Sequence, residues 1–434
     1  KTYMHKSKKP IGFWSAVSMG IGAMVGAGIF ALLGEASAIS GSAVYISFII
    51  GGIIALFSGY SLGKLGARYP SSGGIIEYLS QSYGVGIFTG TMGVMLYFAA
   101  IVSLSLIAKA FGNYAVTFLP ETEKLKVWQI FFSSGVIVLL VLINLEGAKD
   151  VALLERVTVG IKFAVLTGLS IAGIIFLNPD LLSPSHYPPG NDIFFSLAIT
   201  FFAFEGFRVI TNTAEDMPNP SQTLPRAIMA AILLVMLLYV AIAFAVFGNL
   251  PVEKVIAAKD FALAEAALPI FGQVGFSVVA ITALIATASS INANLYAATN
   301  VTYQLAKDGE LPSAFGKPIA HSREGLLVSG VLIIALSLLF DLSEIAAIGS
   351  ISILFVHTVT HIGHLKIISE TGASRILIFI AALLSFSAMV LAIIYVSKAS
   401  SHVLYILSGF ILVALITEVS LRKIAKREIK TRVI

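Results

Sequence analysis

Apolar runs of about twenty residues recur along the whole chain between short polar turns, and about twelve of them can be counted. Each is long enough to cross a bilayer as a helix. The pattern predicts an all-α polytopic membrane protein with 12 transmembrane helices over roughly 13–39, 44–66, 85–111, 128–144, 151–177, 193–212, 224–247, 271–305, 325–340, 345–368, 375–396 and 403–421. No stretch is left over for a soluble domain, so the function must lie within the bilayer.

Charge placement orients these spans. Lys1, Lys6, Lys8 and Lys9 precede the first, and Arg422, Lys423, Lys426, Arg427, Lys430 and Arg432 follow the last. The positive-inside rule therefore puts both termini in the cytoplasm, which an even number of spans satisfies. Lys64, Arg68 and Lys149 fall on inner turns, whereas the outer loop over 178–190 has no lysine or arginine. Lys254 and Lys259 fall outside but are diluted by Glu253 and Asp260.

Composition agrees with the pattern: 57% of the 434 residues are hydrophobic and 12% charged, with a mean hydropathy of +0.94. The net charge of +5 follows the membrane and is not a nucleic-acid signal. With no cysteine, disulfides, thiolate metal sites and cysteine nucleophiles are excluded. The chain opens at Lys1 without a methionine, so a trimmed or processed start is expected.

Two spans depart from a plain apolar rod. The first carries Gly20, Gly22, Gly26 and Gly28 within eleven residues ending at Phe30. Glycine costs a helix interior about 0.5–1 kcal/mol relative to alanine, so a cluster favours a break. Non-helical backbone at membrane depth needs protein or a polar cavity around it, and the N–H groups freed there suit an anionic group such as a carboxylate. Close helix packing through small residues is the other reading. The sixth span has Glu205, Gly206 and Arg208 at its centre, which suggests a second break. Two interrupted helices at matching positions of two inverted halves point to a transporter site at the repeat interface. A buried Glu205–Arg208 pair at (i, i+3) is the alternative.

Lys162 stands about eleven residues into the fifth span, too deep to reach water easily. Its ammonium must be paired there or give up its proton, so it is either a proton-handling group or a permanently charged strut, unless its head snorkels to the inner face. The eighth span carries Thr287-Ala-Ser-Ser-Ile-Asn-Ala-Asn294, mostly ordinary helix glue, from which Ser289 is the functional candidate. His357, His361 and His364 share one helical face, and a solvated polar face is the preferred reading over a metal site or proton relay. No metal or cofactor is expected. Walker, His-Glu-x-x-His and Gly-x-Ser-x-Gly motifs are absent, so the chain reads as a non-enzyme.

Gly26-Ala-Gly-Ile-Phe30, Pro70-Ser-Ser-Gly-Gly74 with Glu77-Tyr78, Ala214-Glu-Asp-Met-Pro-Asn-Pro220 with Pro225-Arg-Ala, and Leu305-Ala-Lys-Asp-Gly-Glu-Leu-Pro312 resemble the amino acid–polyamine–organocation transporters over about 11–320. The resemblance implies a leucine-transporter fold, with inverted five-helix repeats over 11–177 and 191–368, discontinuous helices 1 and 6, and peripheral helices over 373–421. It implies that Gly26, Ala27 and Gly28 hold the substrate carboxylate. Carbonyls near Met24 and of the second break, here Phe202 and Glu205, would take the amino group, with Ala203 in the same substrate site. Lys162 matches a lysine of proton-coupled members, whose amine replaces a sodium ion; its neighbours on that match are the Gly22 carbonyl and Ser289. Ala27 departs from members with serine there, and Glu205 from members with an apolar residue. The implied function is secondary, proton-coupled, sodium-independent amino acid transport across the plasma membrane by alternating access. An amino acid exchanger, a polyamine or organic-cation carrier, and a receptor that binds without transport are the alternatives. The expected partners are a small amino acid, protons and the lipid bilayer.

Overall fold

A computed structural model describes residues 11–71, 73–120, 125–146, 151–308, 317–319 and 322–424. The basic terminal residues 1–10 and 425–434, Lys149, and residues 309–316 of the inner motif lie outside the described residues.

The long apolar runs fold as helices. In chain order they are α1 (Phe13–Ser40), α2 (Val44–Arg68), α3 (Ile75–Tyr83), α4 (Ile87–Val116), α5 (Leu125–Glu146), α6 (Val151–Ile175), α7 (Gly190–Phe195) and α8 (Leu197–Thr200). A 3-10 stretch, Phe201–Asp216, follows. The chain continues with α9 (Pro220–Phe247), α10 (Val252–Ala257), α11 (Ala262–Asp308), α12 (Glu324–Leu339), α13 (Leu342–Lys366), α14 (Ile368–Thr371), α15 (Arg375–Ala399) and α16 (His402–Val419). One two-residue strand pair, Pro318–Ile319 with Ser322–Arg323, is the β structure among the described residues. Ten helices there are long and apolar enough to cross a membrane, with Phe13–Gly26 and Glu324–Leu339 as shorter apolar helices. The chain is a multi-pass helical membrane protein.

Burial separates centre from periphery. In α4 and α13, 83% of the apolar window is buried, against 28% in α5 and 22% in α16. The exposed faces of α5, α12, α15 and α16 carry Phe131, Leu139, Val331, Leu339, Ile376, Phe379 and Leu412, an apolar belt that lipid would cover. α1 packs on the 3-10 stretch, α9 and α11, while α2 packs on α9 and α13 on α15.

The helix α3 was not expected from the apolar runs, because it is short and amphipathic. Ile75, Ile76, Tyr78 and Leu79 are its buried face. Gly74 sets its start with φ +56, and a Cβ at that residue would collide with the Asn212 side chain on the 3-10 stretch. The Pro70–Gly74 motif thus ties the loop after α2 to the second interrupted segment.

Candidate functional site

Helical geometry changes at both places where the sequence suggests an interruption. In α1 the break is a kink at Val25, whose ψ of 22° leaves the helical range. In the sixth span α8 gives way at Phe201 to the 3-10 stretch, much longer than the three or four residues usual for that geometry, which marks a strained or hinge-like segment. The two segments lie against each other. A Cβ on Gly206 would fall 2.5 Å from the Met24 backbone nitrogen and from the Ala23 carbonyl carbon, so only glycine permits this approach. Gly26 lies against Ser290 of α11 and Gly28 against the Tyr239 hydroxyl and the Ala203 backbone. The glycines therefore serve close packing as well as the kink.

Two buried side chains read the backbone carbonyls around the kink. Tyr239 of α9 donates its hydroxyl to Met24 O at 2.7 Å and lies 3.1 Å from Ala203 O, so one group joins both breaks. Lys162 of α6, 1% exposed, donates Nζ to Gly22 O at 2.7 Å. Gly22 is one of the two neighbours that the resemblance implies for this lysine, the other being Ser289. Ser289 is half-buried on α11, whereas its neighbour Ser290 is buried, abuts Gly26 and has no hydrogen-bond partner for its hydroxyl among the described residues. Of the other candidates, Met24, Gly28, Phe202, Ala203 and Glu205 line one cavity, joined by Ser103, Arg208 and Asn294. Gly26 is buried outside that lining, and the Ala27 side chain lies outside the described residues.

That cavity measures about 20 Å³, and a second of about 40 Å³ shares Ser103, Arg208, Val209 and Asn294 with it and continues to Gly73 and Asn212. A water needs roughly 10–15 Å³ by this measure, so these cavities have room for a few waters and are too small for an amino acid in this conformation. Arg208 stands where the cavities meet, paired with Glu205. The pair is the alternative that the (i, i+3) spacing allowed, yet Glu205 keeps its second oxygen, Oε2, without a partner among the described residues. At the other end of α1, Lys259 Nζ sits 3.4 Å from the buried Glu35 Oε1.

The histidine face is corrected by the structure. His357, His361 and His364 are all fully buried rather than solvated, because α2 presents Ser58 and Ser61 to them. His357 has neither ring nitrogen hydrogen-bonded among the described residues, a situation that costs about 1–3 kcal/mol when the group is buried. No group of three or more histidine, cysteine or acidic residues among the described residues could hold a metal ion.

Residues missed from the sequence are Tyr239, Ser103 and Ser290. The first two are lone polar groups in apolar runs, which carry no signal before folding brings them to the kink. Asn294 and Ser290 belong to the polar run noted on the eighth span.

The amino acid permease family profile matches residues 11–416. The inner membrane transport protein YbaT of Escherichia coli is 35% identical over 421 residues, covering 96% of this chain and 98% of the relative. An uncharacterized protein of Methanocaldococcus jannaschii is 34% identical over 432 residues, 98% of each chain. A serine/threonine exchanger of Bacillus subtilis is 26% identical over 330 residues, 72% of this chain and 71% of its own.

Proposed function

We propose that this chain, which belongs to the amino acid permease family, is a secondary amino acid transporter of the plasma membrane, driven by protons and independent of sodium. Its relatives are membrane transporters, and it is not an enzyme. The observation that carries the coupling is the Lys162 Nζ bond to Gly22 O, three residues before the Val25 kink. A cation is held against the backbone of the broken helix by a side chain that can lose and regain a proton. Protonation would fasten α6 to α1 through a charge-assisted bond, and loss of the proton would weaken that bond and loosen the kink.

The proposed architecture has 12 crossings, with inverted repeats over 11–177 and 191–368, peripheral helices over 373–421 and both termini in the cytoplasm. Phe13–Gly26 with Gly28–Ser40 makes the first discontinuous crossing, and α7, α8 and the 3-10 stretch the second. Substrate sits between them. The N–H groups at Gly26, Ala27 and Gly28 take the carboxylate, and carbonyls at Met24, Phe202, Ala203 and Glu205 the amino group. Since Tyr239 occupies Met24 O and Ala203 O, binding must turn that hydroxyl or share its acceptors. The ion pairs Glu35–Lys259 and Glu205–Arg208 are suited to open in alternation.

A carrier of cationic amino acids or polyamines is the second reading, favoured by the unpartnered Glu205 Oε2 beside the cavity. The test is accumulation of each labelled amino acid and polyamine by sodium-free proteoliposomes holding only this protein. Accumulation of amino acids under an inward proton gradient supports the first reading, accumulation of polyamines alone the second. Binding without accumulation marks a receptor.

A further inference from the structure

The buried histidines of α13 form more than a packing face. His364 Nε2 lies 2.8 Å from Thr371 Oγ1, whose hydroxyl points at Ile368 O at 3.2 Å. His364 Nδ1 lies 2.9 Å from Ser61 Oγ, and the same oxygen lies 2.9 Å from His361 Nδ1. His361 Nε2 lies 3.0 Å from Ser58 Oγ, which lies 3.3 Å from Ser385 Oγ of α15. Except for half-buried Thr371, every member of this run is fully buried.

Proton counting gives the run a direction. A neutral imidazole has one donor and one acceptor nitrogen, and a hydroxyl has a single proton. Thr371 spends its proton on Ile368 O, so it accepts from His364 Nε2. His364 Nδ1 then accepts from Ser61, Ser61 accepts from His361 Nδ1, and His361 Nε2 accepts from Ser58. Every donor points the same way, from Ser385 toward α14.

We propose that Ser385, Ser58, His361, Ser61, His364 and Thr371 form a proton wire between the core beside the second break and the edge of the molecule at α14. A concerted shift breaks each O–H or N–H bond and forms one on the next atom, so one proton enters at Ser385 and the Thr371 proton leaves to water at the half-exposed end of the run. His357 stands beside the run, between His361 and the second break. Its ring centroid is 5.8 Å from that of His361, its nitrogens have no partner among the described residues, and it packs edge-on to Phe201 and Phe207, on either side of Glu205. The wire thus serves the second break as Lys162 serves the first.

The elements packed around α13 carry the titratable residues Tyr60 and Lys64 (α2), Tyr78 and Tyr83 (α3), Tyr97 (α4), Glu370 (α14), Arg375 (α15), Glu418 (α16), and Glu205 and Arg208 (the 3-10 stretch). Four of them are bonded away from the run: Tyr83 donates to Val359 O, Tyr97 pairs with Ser329, Glu370 accepts from Tyr69, and Arg208 donates to Glu205.

Ring-nitrogen magnetic resonance on histidine-labelled protein in bilayers tests the wire without any substrate, with His361→Gln and His364→Gln used only to assign signals. A continuous wire in either direction requires His361 and His364 to be opposite tautomers; the same tautomer in both overturns it. Flux gives a second test, which rests on the proton-coupled reading above. Vesicles holding a pH dye receive an equimolar mixture of the standard amino acids. Ser61→Ala should abolish the dye response and keep exchange of the labelled mixture at equal pH, and Ser61→Thr should restore the response. A full dye response in Ser61→Ala, or an equal loss of dye response and exchange, overturns the wire. Exchange without dye response in the native protein counts against proton coupling, and the tautomer result then decides the wire.

Discussion

The Tyr239 hydroxyl lies 2.7 Å from Met24 O in the first broken helix and 3.1 Å from Ala203 O in the second, so one proton serves two buried carbonyls from separate breaks. A carbonyl stripped of its donor in the interior costs about 1–3 kcal/mol. Tyr239→Phe keeps the ring and removes only the hydroxyl. It should destabilise the fold by an amount in that range, seen as a lower melting temperature, and slow uptake. An unchanged melting curve would mean that the breaks hold together without this bridge.

Glu205 and Arg208 form a pair at the junction of two cavities. Removing one partner of a buried pair costs about 3–5 kcal/mol, and the lower end applies because the Arg208 side chain is 17% exposed. Glu205→Gln should therefore melt earlier than Glu205→Gln combined with Arg208→Gln, in which no charge is stranded. Thermal shifts with cationic and neutral amino acids then separate a pocket role from a structural one. If Glu205 Oε2 meets substrate, the Gln variant loses cationic ligands far more than neutral ones.

Gly206→Ala would place a methyl carbon against the backbone of Ala23 and Met24, where no side chain can turn away. Overpacking of this kind costs about 1–3 kcal/mol, and the strain falls on the kink itself. Expression and melting should both suffer, more than for alanine at Gly160, whose Cβ position is open. Equal effects at the two sites would mean that the segments are not in close contact.

Outside the membrane, burial and the 2.6 Å hydrogen bond to Glu370 push the Tyr69 hydroxyl up to about 12 from its ordinary value near 10. The folded state thus holds this proton more tightly than the unfolded chain. Its contribution to stability is complete below about pH 10 and is lost as pH rises toward 12. Melting temperature should fall across that window more steeply for the native protein than for Tyr69→Phe. Parallel curves would show that the bond adds nothing.

Much of this was legible in the chain. The glycine cluster and the Glu205-Gly206 step located both breaks, because glycine and charge are costly in a plain apolar helix. Lys162 stood out by depth alone, and the structure places its Nζ on Gly22 O. What could not be read was which carbonyls the breaks would offer and to whom. Tyr239 is one tyrosine among the leucines of α9, and only the packing of α9 on α1 brings it to Met24. The histidine face was read as solvated because its periodicity is visible while its partners, Ser58 and Ser61, lie some three hundred residues away. The helix α3 was hidden because a nine-residue amphipathic segment is too short to register as an apolar run.

The central claim is that Lys162 carries the coupling proton. Replacing it with alanine would leave a cavity and an unpaired carbonyl, so the informative change is Lys162→Gln, which keeps polarity and hydrogen-bond donors but has no proton to lose. The measurement is accumulation of labelled amino acids by sodium-free proteoliposomes under an imposed inward proton gradient, beside substrate binding by thermal shift. Native protein should accumulate substrate, and Lys162→Gln should bind it without responding to the gradient. Full gradient-driven accumulation by Lys162→Gln, or a sodium requirement in the native protein, would contradict the account.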